Sequence, residues 1–321
     1  MPIVQHMDIF PIHVPVSSSL RSINFYLVQS GQSLILIDAG YNNDDCRKAL
    51  VDTLKQNEFA LKDLTHIILT HHHIDHAGLV NCLTAEHPIP VYAHPLSFPR
   101  LKRASVFLQM RIQFFQELYE TMGCGQQGKK QIEHLKKTMK ENESQKITAE
   151  LVEVGENFGD HFEVLEVPGH APDQIALYDR KQERLFAGDL LISHISSNAL
   201  VEPDENGKRI PSLLIHIDSL KKCLSLSLEQ VYSGHGKVIQ QPKELIQKRL
   251  DGIEKKAERF LTLIKGGKRT ANDIAETYYK DVYDQQFPLV MSEVIGHLDY
   301  LEQREKIQKE KVHGIWRYTS S

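Results

Sequence analysis

The chain has 321 residues, enough for one large domain and a smaller one. With 41% hydrophobic and 25% charged residues it reads as an ordinary globular protein, and a net charge of −4 gives it no global preference for nucleic acid or membrane surfaces. No apolar run approaches the ~18 residues of a membrane span. The opening residues 1–6 lack a basic stretch leading into an apolar one, so a cytoplasmic location is expected.

Residues 24–28 and 34–38 read as two strands of a hairpin joined at Ser30-Gly31-Gln32. A helix is expected over Asp44–Gln56, then a strand over 66–69. Directly after Ile67-Ile68-Leu69 stands the most informative segment, Thr70-His71-His72-His73-Ile74-Asp75-His76-Ala77-Gly78. At the frayed end of a strand, side chains two apart point the same way, so His71 and His73 can reach one cation. Asp75 and His76 follow as the chain turns and can face a second. Such a site needs neutral imidazoles and an ionised carboxylate, both available near pH 7. His72, between ligand positions, is expected to face away from the metals in a supporting or packing role.

A strand over Val91–Ala93 ends at His94-Pro95. His94 is a candidate substrate contact, with capping of the following turn as the other reading. Residues 97–146 interrupt the strand pattern as a helical insertion. Two apolar stripes, Phe107, Met110, Phe114, Leu118 and Leu108, Ile112, Phe115, Tyr119, give its first helix a broad apolar face. A loop at 122–125 separates it from a basic helix over 129–140. The insertion carries ten basic and five acidic residues, net +5. It reads either as a face packed on the core or a second subunit, or as a lid with a greasy wall and a cationic rim.

Three further candidate ligands stand in glycine-flanked loops after short apolar runs. Pro168-Gly169-His170 follows 162–167, Gly188-Asp189 follows 184–187, and Gly234-His235 follows 230–232. Glycine lets the backbone turn sharply at a strand end and keeps bulk away from a site. The polar loop 193–211 is expected to line a pocket, and His194 in it is a second candidate substrate contact. The four cysteines, Cys46, Cys82, Cys124 and Cys223, form no C-x-x-C pair and read as reduced thiols, Cys124 being the most accessible because glycines flank it.

The tail begins with a helix over Pro242–Lys265. A capping start at Thr270-Ala271-Asn272-Asp273 leads into a short helix over 274–279. A helix over 288–303 and two strands over 306–311 and 314–318 complete it. Residues 241–321 hold 15 basic and 13 acidic residues, and 288–303 has no Lys or Arg, so nucleic acid is not the expected partner.

The pattern His71, His73, Asp75, His76, His170, Asp189 and His235 resembles that of the metallo-β-lactamase-fold hydrolases, in their glyoxalase II-like part, over roughly residues 3–238. The segment 34–40 looks like the family's early strand and turn, where Asp38 is read as a support rather than a ligand. The tail resembles the winged helix of one branch, and His170-Ala171-Pro172-Asp173 fits that branch. The resemblance implies an α/β fold, an αβ/βα sandwich with a helical insertion and a C-terminal winged-helix-like domain. It implies a catalytic domain over 1–240, with 97–146 as the lid insertion, and a winged-helix-like domain over 241–321. It further implies that His71, His73 and His170 hold one divalent ion, that Asp75, His76 and His235 hold another, and that Asp189 bridges them. Zinc is the expected ion, and donors that are all nitrogen and oxygen make the site less zinc-selective, leaving manganese or iron as alternatives. Lactam cleavage is not the expected task, since lactam-cleaving members often carry a cysteine where Asp189 stands or lack the Asp75 ligand.

The expected activity is hydrolysis of a small-molecule thioester or ester by hydroxide generated between two metals, with Asp75 aligning it. The alternative is a single-strand-specific endoribonuclease. Apolar faces on the insertion and tail are compatible with a homodimer.

Overall fold

The computed structural model describes residues 7–159 and 161–321; the opening residues 1–6 lie outside it. One sheet holds, in spatial order, β1 (Met7–Pro15), β2 (Ser22–Ser30), β3 (Ser33–Ile37), β4 (His66–Ile68), β5 (Val91–Ala93) and β6 (Leu151–Glu153). Its first three strands are antiparallel and the rest parallel. The second sheet runs from β7 (Asn157–Phe158) through β8 (Phe162–Glu166), β9 (Ile175–Asp179) and β10 (Arg184–Gly188) to β11 (Gln230–Ser233). Only its β10–β11 pair is parallel.

Strand periodicity explains how the layers stack. Tyr26, Val28, Ile35 and Ile37 meet Leu177, Phe186 and Tyr232 in a core between the sheets. Their neighbours Phe25, Leu27, Leu34 and Leu36 point the other way, against α1 (Asp44–Gln56) and, beyond α2 (Ile74–Ala77), α3 (Val80–Glu86). On the second sheet Ala176, Tyr178, Leu185 and Ala187 likewise face outward onto helices. Both faces of each sheet are covered, which is why these strands read as continuous apolar runs. The result is the expected αβ/βα sandwich.

The insertion comprises α4 (Phe98–Leu101), α5 (Ser105–Thr121) and α6 (Gly125–Glu141). The second sheet is covered by α7 (Ser212–Leu224) and the first part of α8 (Pro242–Lys265). The tail continues through α9 (Ala271–Tyr279), α10 (Asp281–Gln285) and α11 (Phe287–Gln303) into the antiparallel hairpin β12 (Ile307–Val312) and β13 (Ile315–Ser320). At the start of α9, Thr270 Oγ1 accepts from Asp273 N–H and the Asp273 carboxylate accepts from Thr270 N–H, the reciprocal cap the sequence suggested.

The insertion and tail share one apolar cluster. Phe115, Leu118 and Tyr119 of α5 and Ile132 of α6 pack with Phe260, Phe287, Val294 and Leu298. The broad apolar face of α5 is therefore largely spent on the tail. Helix α6 starts at Gly125, four residues before the expected 129. A Cβ on Gly128 would stand 2.8 Å from Tyr119 Cβ, so this glycine serves the close α5–α6 crossing rather than a loop. The same crossing corrects the reading of Cys124. It is buried in the shared cluster, and burial pushes its thiol up to about 12.

Strands β1, β6, β7 and β9 and the short helices α2, α3 and α10 were absent from the expected elements. Pro11 and Pro15 break the strand signal of β1, yet an edge strand tolerates them. Among the described residues no helix is long and apolar enough to cross a membrane.

Candidate metal centre

The C-terminal ends of β3, β4, β8, β10 and β11 deliver side chains to one edge of the sandwich. Backbone bonds lock these ends together: Gly234 N–H donates to Gly188 O at 2.8 Å, and Ile175 N–H to Thr70 O at 2.8 Å. Tyr26 Oη–H and Asn24 Nδ2–H tie β2 to the carbonyl of Ser233, at 2.6 and 3.0 Å.

All seven expected ligands come together here. Three sets have ligand atoms mutually within 4.8 Å: His71, His73 and His170; His71, His76 and Asp189; and Asp75, His76 and His235. His73 Nδ1 lies 3.0 Å from His71 Nε2 and 3.1 Å from His170 Nε2. The Asp189 carboxylate stands centrally, with Oδ2 3.1 Å from His235 Nε2 and 3.5 Å from His170 Nε2, and Oδ1 3.4 Å from His76 Nε2. Asp75 Oδ2 is 3.4 Å from His235 Nε2.

Hydrogen bonds on the outer side of the rings fix their tautomers. His170 Nδ1 meets Asn198 O at 2.9 Å, His235 Nδ1 meets Ser22 O at 2.8 Å, and His76 Nδ1 meets Asp38 Oδ2 at 2.7 Å. Those oxygens only accept, so each Nδ1 carries a proton and, in the neutral ring, each Nε2 turns a lone pair toward the cluster. Thr70 Oγ1–H donates to Asp38 Oδ2 at 2.8 Å, leaving Oγ1 to accept from His71 Nδ1–H at 3.1 Å. His76 Nε2 and Asp189 Oδ1 are buried without a hydrogen-bond partner among the described residues. Buried acceptors converging in this way are satisfied by a cation. The donors therefore fit divalent metal, and His71, His73, His170, Asp75, His76, His235 and Asp189 would hold it.

Burial, reinforced by neighbouring rings, holds His71 and His73 well below the ordinary imidazole value, keeping their lone pairs free. Burial opposes ionisation of His76 and His235, but Asp38 and Asp189 outweigh it at His76 and Asp189 does so at His235, so both rings are held above the ordinary imidazole value and a cation displaces their Nε2 protons on binding. Burial opposes ionisation of Asp189, but His76 and His235 outweigh it and hold the carboxyl well below its usual range.

Asp38 is the hub under this arrangement. Its backbone sits at φ +60°, a costly left-handed conformation for a non-glycine residue. Its Oδ1 accepts from Thr70 N–H at 2.7 Å, while Oδ2 takes Thr70 Oγ1–H and His76 Nδ1–H. Two glycines are required by close approach. A Cβ on Gly234 would lie 2.4 Å from Asp189 Oδ1, and one on Gly188 (φ +48°) would lie 2.6 Å from Thr70 Oγ1.

The remaining histidines have other partners. His72 Nδ1 lies 2.6 Å from Asp173 Oδ1. Burial opposes ionisation of Asp173, but His72 and Arg100 outweigh it. His94 Nδ1 accepts from Leu96 N–H at 3.1 Å, capping the turn after β5. His194 Nε2 meets Ser19 O at 2.9 Å, and its ring covers Gly236 beside His235. Neither His94 nor His194 belongs to a ligating set among the described residues.

Sequence reasoning missed four supports: Thr70, Asp173, and Asn198 and Ser22, whose carbonyls orient His170 and His235. The hydroxyl next to His71 was the one available signal.

The family model for the metallo-beta-lactamase superfamily matches residues 19–235. The chain is 32% identical over 302 residues to the Bacillus subtilis protein named probable metallo-hydrolase YqjP, spanning 94% of each chain. It is 21% identical over 262 residues to the atrochrysone carboxyl ACP thioesterase of Aspergillus fumigatus, covering 81% of this chain and 66% of that one. Among solved structures, a metallo-beta-lactamase family protein of Thermus thermophilus superposes with a TM-score of 0.77 at 21% identity over 98% of both chains. A beta-lactamase domain protein of Burkholderia ambifaria gives 0.76 at 17% identity, over 98% of this chain and 92% of that one. At these identities the solved structures establish the fold alone.

Proposed function

The chain belongs to the metallo-beta-lactamase superfamily, and from that premise we propose that it is a metal-dependent hydrolase of small-molecule thioesters, with esters as the second substrate class. His71, His73 and His170 take one divalent ion; Asp75, His76 and His235 take another; Asp189 is shared. Zinc is the first choice, and a donor set without thiolate leaves manganese and iron admissible. The observation that carries this reading is the convergence of Nε2 lone pairs from His71, His76, His170 and His235 on Asp189.

When bound, such a metal pair acidifies a water for attack near neutral pH and polarises the substrate carbonyl. The chain's own groups orient and exchange protons around it. Asp75, with an oxygen 3.4 Å from His235 Nε2, is placed to accept the proton of the attacking water. Four imidazoles have both nitrogens committed, one to the cluster and the other to Thr70, Asp38, Asn198 or Ser22. None of these four is free to protonate a leaving group. A thiolate departs without a proton, whereas an amine or alkoxide needs one, and this ranks the thioester first. The name of the Aspergillus fumigatus relative carries the same substrate class.

We assign the catalytic unit to 1–240, with 97–146 as its helical lid insertion, and a winged-helix-like domain to 241–321. The four unpaired cysteines fit a reducing cytoplasm. Nucleic acid is placed outside the substrate range. On α6, Lys136 and Lys137 are drawn to Glu133 and Glu141 at 2.9 and 3.6 Å, and the sequence of α11 has no cation to offer.

The test is turnover of acyl thioesters, esters and lactones by zinc-loaded protein. Thioester hydrolysis ahead of the others supports the proposal, and a metal-replete protein inert on all three classes overturns it.

A further inference from the structure

Four of the five imidazoles in the ligating sets are oriented by a hydrogen bond on the side away from the cluster, to Thr70, Asp38, Asn198 or Ser22. His73 is the exception. Its Nδ1 faces the cluster, 3.0 Å from His71 Nε2 and 3.1 Å from His170 Nε2, and its Nε2 makes no hydrogen bond among the described residues. A ligating imidazole almost always has an outer partner that fixes its ring. His73 is held in another way.

The ring packed against it is that of His72. The two rings meet edge to face, with centroids 4.7 Å apart and planes at 66°. Edge-to-face pairs attract, so a fixed His72 restrains the tilt of His73. His72 is itself pinned, because its Nδ1–H donates to Asp173 Oδ1 at 2.6 Å. Carboxylate oxygens only accept, which places the proton on Nδ1. The Asp173 side chain is fully buried and that of His72 is 18% exposed, so the bond is shielded from competing water.

Asp173 stands three residues after His170, and Ile175 N–H donates to Thr70 O at 2.8 Å. The two loops that carry His71, His73 and His170 are thus joined once through backbone and once through the His72–Asp173 pair. Against the cost of burial, His72 and then Arg100 favour the ionised form of Asp173. Arg100 belongs to α4 and lines a small cavity together with His72, so the insertion supports the same pair. Among the described residues no hydrogen bond runs from His72 or Asp173 to Asp75, His76 or His235.

We propose that Asp173 is a positioning residue for the ion of His71, His73 and His170, acting on His73 through the ring of His72, and that the ion of Asp75, His76 and His235 does not depend on it. Asp38, by contrast, reaches a ligand in each site through His76 and through Thr70 and His71. The proposal rests on the two-ion reading of the centre.

The test is zinc titration of the full-length protein against a chromophoric chelator, which reads the affinity of each ion. Asp173→Ala and His72→Ala should each weaken one ion by about 10–100-fold. The double variant should be no weaker than either alone, since both break a single contact. His72→Ala, at the partly exposed member of the pair, carries the test by itself if Asp173→Ala does not fold. Asp173→Asn keeps an oxygen that accepts from His72 Nδ1–H and should recover most of the lost affinity. In a His73→Ala background, where only the ion of Asp75, His76 and His235 is left, Asp173→Ala or His72→Ala should change nothing. Weaker binding in that background, additive losses in the double variant, or Asp173→Asn protein as weak as Asp173→Ala would overturn the proposal. Two ions bound equally well by wild type and by both single variants would overturn it and leave the two-ion reading standing. A wild type that takes up no zinc would remove both.

Discussion

Asp38 Oδ2 lies 2.7 Å from His76 Nδ1, joining the end of β3 to the turn of the ligand loop. Through its other contacts the same carboxylate holds Thr70 and, by way of the Thr70 hydroxyl, His71. One residue that touches no metal thus orients a ligand in each proposed site. Asp38→Asn replaces one acceptor oxygen with a donor facing two other donors. Metal affinity should fall by about 10–100-fold, as for other residues that orient ligands. Competition with a chromophoric chelator measures this, and unchanged affinity would remove Asp38 from the role assigned to it.

Gly234→Ala should be disproportionately harmful for a single methyl group. The new Cβ would stand 2.4 Å from Asp189 Oδ1 and 2.6 Å from His76 Cε1. Either the backbone yields, at about 1–3 kcal/mol, or the two side chains move apart. Chemical denaturation together with metal analysis should find lower stability, lower metal content, or both. Wild-type values on both measures would contradict the packing described.

Glu202 ties the segment after Asp189 to α5. Arg111 Nε–H donates to its Oε2 at 2.8 Å, and Arg100 stands 3.9 Å away. Burial opposes ionisation of Glu202, but Arg111 and Arg100 outweigh it, so its carboxyl is held below the ordinary range. A depressed folded-state value means that the stabilisation is complete above the unfolded value, about 4.3 for a glutamate. It is lost as pH falls through the folded-state value. Glu202→Gln should cost about 3–5 kcal/mol near pH 7, since it leaves a buried guanidinium without its counter-charge. The gap between variant and wild type should narrow on acidification below about pH 4. A gap independent of pH would show that Glu202 does not act through its charge.

The ribonuclease alternative predicts cleavage of unstructured RNA that depends on the lysines of α6. Zinc-loaded protein should leave such RNA intact, and Lys136→Glu with Lys137→Glu should leave thioester turnover within about twofold. RNA cleavage abolished by those two substitutions would replace the acyl reading with the nucleolytic one. Exposed charge changes of this kind, away from a site, usually have small effects on folding.

The ligands were legible because their signals are local. His71, His73, Asp75 and His76 declare themselves within six positions, and His170, Asp189 and His235 each follow an apolar run and a glycine. Their supports were less legible. Asp173 meets His72 across 101 positions of sequence, and the Asn198 contribution is a carbonyl that any residue could supply. Asp38 could be read because it ends an apolar strand. The position of Cys124 could not, since Gly123 and Gly125 do form a positive-φ turn, but that turn is packed between the α5–α6 crossing, where Gly128 makes the close approach, and the tail. The apolar stripes of α5 were visible, but sequence could not say that their partner is the chain's own C-terminal segment, more than 130 residues on.

The most direct test is metal stoichiometry by elemental analysis after reconstitution and gel filtration, for wild type, His73→Ala and Asp189→Asn. Two divalent ions per wild-type chain are expected, with the first lost in His73→Ala and both weakened in Asp189→Asn. A wild-type protein unable to retain any transition metal, or two ions retained in full by both variants, would contradict the assignment of this centre.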